Sequence, residues 1–154
     1  MNSVAIALGS NLGDRAAHLA FAVHHLQFLL TAVRVSSWHE TAPIGVSPQP
    51  DFLNGAVIGQ TALGARDLLT RLRAIEDVSG RCRPHDGAPR TLDLDLILFG
   101  GVVLDEPGLQ VPHPRFRERR FVLEPLSEIA GDWVDPVSGL AVNDLLAELR
   151  SRQQ

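Results

Sequence analysis

The feature that most constrains this sequence is the short apolar run Leu92–Phe99, which carries two aspartates. Because side chains alternate between the two faces of a β-strand, the run predicts a strand with one apolar face and one acidic face. The predicted apolar face consists of Leu92, Leu94, Leu96 and Leu98. Asp93 and Asp95 would stand together on the other face, with their α-carbons ~6.6 Å apart.

Two carboxylates at this spacing can hold a pair of Mg²⁺ ions ~3.5–4 Å apart, an arrangement that binds phosphate oxygens. The alternative is an exposed strand face whose aspartates are only solvated. Aspartate disfavours strands, and the run would be more stable with apolar residues at both positions. Asp93 and Asp95 are therefore the first candidates for metal ligands in a phosphate site.

The hydrophobic pattern along the chain predicts the order strand, helix, strand, strand, helix, strand. The predicted strands are Ser3–Leu8, Val33–Trp38, Asn54–Gln60 and Leu92–Phe99, and the helical patterns cover Leu19–Val33 and Gly64–Val78. This order is typical of an α+β, ferredoxin-like βαββαβ domain, an antiparallel sheet with both helices on one face. We expect a C-terminal hairpin through Gly100–Gly101 and a terminal helix capped by Asn143 as decoration. The length of 154 residues predicts a single domain, residues 1–154.

Composition excludes several classes of site. All 14 cationic side chains are arginine, which excludes a Walker-type P-loop and a Schiff-base lysine. Cys82 is the only cysteine, so neither an internal disulfide nor a cysteine zinc cluster is expected. The net charge of −4 argues against sequence-independent nucleic-acid binding. Without a membrane-spanning run or a signal-peptide pattern, we expect a cytoplasmic protein with neither nucleic acid nor membrane as a partner.

Basic residues flank the aspartate pair. Arg81, Arg83 and Arg90 precede it, and the arginine fork of donors suits phosphate, although a single surface arginine is more often only solvated. His113 lies between two prolines in a second basic stretch, where a structural role and a phosphate contact are equally open.

A second set of residues predicts a pocket for a flat ring. Phe52 and Asn54 stand where a loop enters a strand, and Phe121 is a second aromatic residue. Aromatic rings that enclose a heterocycle, with an amide at its edge, would form a specific pocket. The alternative is that both phenylalanines belong to the core.

Six blocks of the sequence carry a family resemblance when they are taken in order. They are Leu8–Arg15, Ser37–Gly45, Gln49–Asn54, Pro89–Leu96, Val111–Arg115 and Phe121–Leu126. Together they resemble the 6-hydroxymethyl-7,8-dihydropterin pyrophosphokinases of folate biosynthesis. The resemblance implies a ferredoxin-like fold, transfer of a pyrophosphoryl group from ATP to the reduced pterin with release of AMP, two Mg²⁺ ions, and a monomer whose partners are small molecules.

The resemblance also implies roles for individual residues. The implied catalytic residues are Arg81, Arg83, Arg90, Asp93 and Asp95, of which the two aspartates would bind Mg²⁺. The implied ATP contacts are Glu76, Arg83, Arg90, Leu96, His113 and Arg119. The implied pterin contacts are Thr41, Pro43, Gly45, Phe52, Asn54, Asp93 and Phe121. The chain departs from the family pattern in a shorter loop between Arg83 and Pro89, at Asp86–Ala88, and at His39, Phe52 and Pro114, where tyrosine occurs in some members.

Two other functions are compatible with these residues. Polymerase-type nucleotidyl transferases also combine a split βαβ topology with paired metal-binding carboxylates, but the small size, the negative net charge and the ring pocket argue against one. A non-catalytic ligand-binding domain is the other alternative, because many ferredoxin-like folds only bind ligands.

Overall fold

The computed structural model describes residues 1–42, 51–80 and 91–153. The strands are β1 (Asn2–Ser10), β2 (Thr31–Val35), β3 (His39–Thr41), β4 (Phe52–Thr61), β5 (Asp93–Phe99), β6 (Leu104–Glu106) and β7 (Leu109–Val111). The helices are α1 (Arg15–Leu26), α2 (Ala65–Val78), α3 (Arg120–Ala130) and α4 (Val142–Arg152), with a 3₁₀ turn at Phe116–Glu118. The second predicted strand is replaced by the two short strands β2 and β3. Among the described helices, none is long and apolar enough to cross a bilayer.

The main sheet is antiparallel and has β1 and β4 at its centre. Its strand order is β2-β4-β1-β5, and the short strand β3 pairs with β4 beyond β2. Strand β5 therefore lies at one edge, with β1 on one side and helix α2 close to the other. The predicted α+β class with an antiparallel sheet is confirmed.

Each face of this sheet carries its own core. On the first face, Val4, Ile6 and Leu8 of β1 pack against α1 and α2. The two helices contribute Leu19, Ala22, Leu26, Leu68, Leu72 and Ile75 to that core. On the second face, Ala5 and Ala7 of β1 pack against α3 and α4.

The two predicted helices, α1 and α2, share the first face as predicted, whereas α3 and α4 form a further helical layer on the second face, where the sequence predicted only decoration. The strand residues of the second core include Ala5, Ala7 and Ala56. These short side chains leave room for helices to approach the sheet, but they contribute little to the apolar pattern of the sequence. Helix α3 contains Pro125, a residue that normally ends a helical pattern in sequence. The C-terminal third of the chain is thus a second packing layer, not a decoration.

A β-bulge in β5 corrects the predicted leucine face. Ala5 pairs with Leu98 but Ile6 pairs with Leu96, so Ile97 is an extra residue in the ladder. An extra residue reverses the alternation that follows it, which moves Leu98 into the second core. The predicted alternation therefore holds only up to Leu96.

The C-terminal decoration also differs in detail from the prediction. Strand β6 pairs with β7 in a separate sheet of 2 strands, and Gly100–Gly101 does not join paired strands. Asn143 does not cap α4, which begins at Val142 after Ala141. Asn143 instead packs against Gly131, the residue that follows α3.

Candidate active site

Asp93 and Asp95 lie on the second face of the sheet, as the alternation predicted. In the β1–β5 ladder, Asp93 is opposite Gly9 and Asp95 is opposite Ala7. Directly opposite residues share a face, so each carboxylate has a residue with little or no side chain beside it. The Asp95 side chain is 41% exposed, which leaves it accessible to a ligand.

Asn54, the amide predicted to read a ring edge, lies in the same row of the sheet as Asp93. Gly9 pairs with Asp93 on one side and with Asn54 on the other. With neighbouring strands ~4.8 Å apart, the α-carbons of Asp93 and Asn54 are separated by about 10 Å. The structure therefore brings the acidic pair and the amide to one face.

Asn54 is buried, and its amide is held in one orientation. Its Nδ2 donates a hydrogen bond to Oγ1 of Thr41 at 2.6 Å. Its Oδ1 lies on the side of Gly9, where a Cβ would be 3.0 Å away from it. Phe52 borders the same space, with its Cδ1 at 3.8 Å from that Cβ position. The site thus presents an amide oxygen as an acceptor next to an aromatic ring.

Phe121 lies in the first turn of α3, one of the two helices that cover the second face. Its ring is partly buried against the second core and lies under the Arg119 guanidinium, whose central carbon is 5.4 Å from the ring centroid. This cation–π contact links a predicted phosphate ligand to a predicted ring ligand. Both residues lie at the N-terminus of α3.

A cleft of about 620 Å³ opens beside the edge strand β5. Its walls come from α2, β5, the β6–β7 hairpin and the segment after β7. The described residues in its lining include Asp95, Leu96 and His113 from the predicted set. Its volume falls in the range of pockets that bind small molecules and cofactors.

The structure places Glu76 behind this cleft, where it stabilises the edge strand. Its carboxylate is 1% exposed, accepts the Leu94 backbone N–H at 2.7 Å and pairs with Arg73 at 2.6 Å. Arg73 in turn donates to the Leu94 carbonyl at 2.9 Å. Arg73 and Glu76 together satisfy the outward backbone groups of Leu94, which an edge strand would otherwise expose.

Arg73 is a site residue that the sequence reasoning missed. It lines the cleft, and its Nη2 is 4.0 Å from Oδ1 of Asp95, so it places a positive charge beside the acidic pair. The available signal was its position three residues before Glu76 on a helix, where such pairs are neighbours. The hairpin residues Asp105–Gln110, which also line the cleft, gave no signal of their own.

His113 is held as a neutral hydrogen-bond donor. Its Nδ1 accepts the Arg115 backbone N–H at 3.2 Å, so the ring proton resides on Nε2. Burial, together with the charges of Arg119 and Arg115, lowers the pKa of His113 to about 4. At neutral pH the ring therefore offers one N–H to the cleft without adding charge.

Several predicted site residues lie outside the described residues. They are Pro43, Gly45, Arg81, Arg83 and Arg90. Their proposed contacts stay predictions.

The donor set of Asp93 and Asp95 fits Mg²⁺. This ion prefers oxygen ligands and is usually held by one or two carboxylates together with water and substrate phosphates. The two aspartates supply such carboxylates from one strand face, and the half-buried Asp95 also lines the cleft.

The family model described as 7,8-dihydro-6-hydroxymethylpterin-pyrophosphokinase (HPPK) matches residues 5–131. A 2-amino-4-hydroxy-6-hydroxymethyldihydropteridine pyrophosphokinase of Synechocystis is 42% identical over 146 residues, which cover 94% of this chain and 74% of the relative. The Bacillus subtilis protein of the same name is 47% identical over 132 residues, covering 84% of this chain and 79% of the relative.

A solved structure shares the fold. The wild-type HPPK-DHPS of Plasmodium falciparum with SDX-DHP superimposes with a TM-score of 0.77 at 15% identity. The superposition covers 99% of this chain, which spans only 44% of that longer protein. At this identity the likeness concerns the fold alone. The family match and the two bacterial relatives identify the chain as a member of the 7,8-dihydro-6-hydroxymethylpterin-pyrophosphokinase family.

Proposed function

We propose that this chain transfers the pyrophosphoryl group of ATP to the hydroxymethyl group of 6-hydroxymethyl-7,8-dihydropterin in folate biosynthesis. The observation that carries the proposal is the family match over residues 5–131, which spans every predicted site residue. The names of the Synechocystis and Bacillus subtilis relatives support the same activity.

The reduced pterin is proposed to lie on the second face of the sheet, next to Gly9. Asn54 would accept from donors at the ring edge, with Thr41 fixing its amide, while Phe52 and Phe121 would enclose the ring. Asp93, in the same row as Gly9 and Asn54, would face the hydroxymethyl end. Pro43 and Gly45 complete the proposed pterin contacts.

ATP is proposed to enter the cleft beside β5. Leu96 and His113 line that cleft, and Arg119 lies close enough to His113 to affect its pKa. The neutral Nε2–H of His113 and the Arg119 guanidinium would donate to phosphate oxygens. Glu76 would act indirectly by holding Arg73 and β5, and Arg81, Arg83 and Arg90 are the remaining proposed phosphate ligands.

The reaction forms a bond between the pterin hydroxyl oxygen and the β-phosphorus of ATP, while the bond from the β-phosphorus to the bridging α–β oxygen breaks. AMP leaves with that oxygen, and the hydroxyl proton is released. Alignment and charge neutralisation supply most of the catalysis in such transfers. Asp95 lies at the boundary between the two proposed sites, where it can orient the triphosphate or receive the proton.

Asp93 and Asp95 are proposed to hold two Mg²⁺ ions. When bound, such ions neutralise charge on the triphosphate and lower the pKa of a nearby hydroxyl. The exposure of Asp95 and the fit of its carboxylate to oxygen-seeking cations support this assignment.

We also propose that the sheet is a ferredoxin-like one. If β2 and β3 count as one strand, the order of first appearance is β1, β2/β3, β4 and β5, and the spatial order β2-β4-β1-β5 is that of a split βαβ unit. Helices α3 and α4 would then be an added layer on the second face.

The test is the formation of AMP from ATP and the reduced pterin, with and without a chelator. The wild-type chain should form AMP only with both substrates and Mg²⁺. Asp93→Asn and Asp95→Asn should each lower kcat by about 10²–10³-fold, by analogy with removal of a group that stabilises transition-state charge. Asp144→Asn, an exposed aspartate in the first turn of α4, is the matched control.

Three outcomes would contradict the proposal. Release of pyrophosphate instead of AMP would indicate nucleotidyl transfer. Ligand binding without turnover, unchanged by both aspartate variants, would indicate a binding domain. Full activity of the two variants would remove the acidic pair from the mechanism.

A further inference from the structure

The short strand β3 carries part of the proposed pterin site and is held by few backbone contacts. Its residues His39, Glu40 and Thr41 pair with Asn54, Leu53 and Phe52 of β4. Alternation places His39 and Thr41 on the second face with Asn54, and Glu40 on the first face. A strand of only 3 residues forms few ladder hydrogen bonds, so other contacts must fix its position.

On the second face, Glu128 of α3 accepts hydrogen bonds from the first residue of β3 and from Ser37, two residues before it. Its carboxylate accepts the Ser37 backbone N–H at 2.8 Å and the Ser37 hydroxyl at 2.8–2.9 Å. Nε2 of His39 donates to Glu128 at 2.6 Å. Burial alone would raise the pKa of Glu128, but the bonds from Ser37 and His39 outweigh it and lower that pKa, which favours the ionised acceptor.

Glu128 and Phe121 belong to the same face of α3 because they are one heptad apart. The contact between Glu128 and His39 therefore also fixes α3 relative to β3. Because Phe121 lies on α3 and Asn54 pairs with His39 of β3, the same contact helps to fix the position of Phe121, a proposed ring contact, relative to Asn54.

On the first face, Arg15 of α1 contacts Glu40 in the middle of β3 and Asp51 just before β4. Its Nη2 forms an ion pair with Glu40, and its Nη1 donates to the Asp51 carbonyl at 2.9 Å. Glu40 and Asp51 stand next to Thr41 and Phe52, the last pair of the β3–β4 ladder. Arg15 thus ties the two strands together where their ladder ends.

We propose that the Arg15–Glu40 ion pair and the His39–Glu128 hydrogen bond form a two-sided clamp that positions Thr41, and through it the Asn54 amide, for recognition of the pterin edge. The inference rests on the proposed function. The four clamp residues are positioning residues, because each acts through Thr41 and Asn54. One contact comes from each face of the sheet, and the two partners in β3, His39 and Glu40, are adjacent.

The test reverses one ion pair and then restores it. Arg15→Glu and Glu40→Arg should each raise KM for the pterin by about fivefold, the effect of losing roughly 1 kcal/mol of positioning. The KM for ATP should stay within about twofold, and the double variant Arg15→Glu/Glu40→Arg should recover most of the pterin KM. Glu128→Gln, which replaces the carboxylate that accepts from Ser37 and His39 with a weaker amide acceptor, should also raise the pterin KM selectively. Arg150→Glu on α4 is the matched exposed control.

The clamp is wrong if the reversed variants keep the wild-type pterin KM. It is also wrong if KM rises equally for both substrates with a lowered melting temperature that the double variant does not restore. Amide hydrogen exchange at Thr41 and Phe52 gives a readout independent of turnover, and the clamp predicts faster exchange in each single variant. A wild-type chain that forms no AMP with the pterin contradicts the proposed function, whereas unchanged exchange contradicts the clamp.

Discussion

Gly9 and Asn54 lie opposite each other so closely that a Cβ added to Gly9 would stand 3.0 Å from Oδ1 of Asn54. The same Cβ would be 3.8 Å from Cδ1 of Phe52. Gly9→Ala should therefore displace the Asn54 amide and raise KM for the pterin by about tenfold, as expected for a loss of ~1.4 kcal/mol of hydrogen bonding. Initial-rate kinetics with each substrate varied should show a KM for ATP within about twofold of wild type.

Gly55→Ala is the control for this prediction, because Gly55 lies one residue further along β4 and faces the other side of the sheet. A Cβ at Gly55 would be 2.3 Å from a ring atom of Trp38, which is a clash with the fold. This variant should lower the melting temperature and affect both substrates together. If Gly9→Ala behaves in the same way, the Gly9 contact is structural and does not serve recognition.

A second prediction concerns the buried carboxylate of Glu76, which holds both Arg73 and the Leu94 N–H of the edge strand. Glu76→Ala should lower the free energy of unfolding by about 2–3 kcal/mol, because a buried donor and a cation lose their acceptor. Glu76→Gln should cost less, since its amide oxygen can still accept from Leu94.

Urea unfolding measures both Glu76 variants. Glu106→Ala is the control, because its ion pair with Arg66 is exposed and should contribute less than about 1 kcal/mol. If Glu76→Ala loses no more unfolding free energy than Glu106→Ala, the contacts of Arg73 and Glu76 with the Leu94 backbone do not stabilise the fold.

The acidic pair was predictable from sequence because the period of a strand fixes which side chains share a face. Asp93 and Asp95 fall before the bulge, so the simple alternation holds for them. Leu98 falls after the bulge. The bulge depends on how β5 pairs with the neighbouring strand β1, where the register shifts between Ala5 and Ile6. The pattern of apolar and polar residues within β5 does not indicate that extra residue.

The residue types of the site were predictable from sequence, but the residues and the helix that hold them in place were not. The sequence indicated an amide beside an aromatic residue at Phe52 and Asn54, yet their partner Thr41 depends on the register of β3. Helix α3 was missed because Pro125 and a run of arginines mask its apolar face, which becomes clear only from its contact with the second core. Tertiary packing outweighed local propensity at these positions.

A third prediction follows from the lowered pKa of His113, which is about 4 in the folded chain. An unfolded histidine has a pKa near 6.5, so between these values the unfolded state binds the proton and the folded state does not. The contribution of His113 to stability is therefore fully present above pH ~6.5 and decreases as the pH falls towards about 4.

His113→Asn should reduce the loss of stability over that pH interval, because asparagine can still accept the Arg115 N–H but does not titrate. Urea unfolding of the substrate-free chain at intervals between pH 7 and 4 measures the slope. His24→Asn, on an exposed position of α1, controls for the loss of a histidine. Equal slopes for wild type and His113→Asn would contradict a depressed pKa.

The last prediction concerns Asp135, a fully buried carboxylate that pairs with Arg117 in the 3₁₀ turn between His113 and Arg119. It also accepts from Ser138 at 2.7 Å and from the Val137 N–H at 3.0 Å. Burial alone would raise its pKa, but these bonds outweigh burial and lower the pKa of Asp135 to about 2.

Asp135→Asn should lower the free energy of unfolding at pH 7 by about 2–4 kcal/mol, because Arg117 loses a buried charged partner. The wild-type contribution is present above the unfolded pKa of about 4 and is lost as the pH falls through about 2. The difference between wild type and variant should therefore be constant from pH 7 to about 4 and shrink below it. Asp132→Asn, an exposed aspartate three residues earlier, should stay within about 0.5 kcal/mol of wild type. Since Arg117 anchors the turn between His113 and Arg119, an equal effect of the two variants would show that the segment is held by Phe116 packing and not by this ion pair.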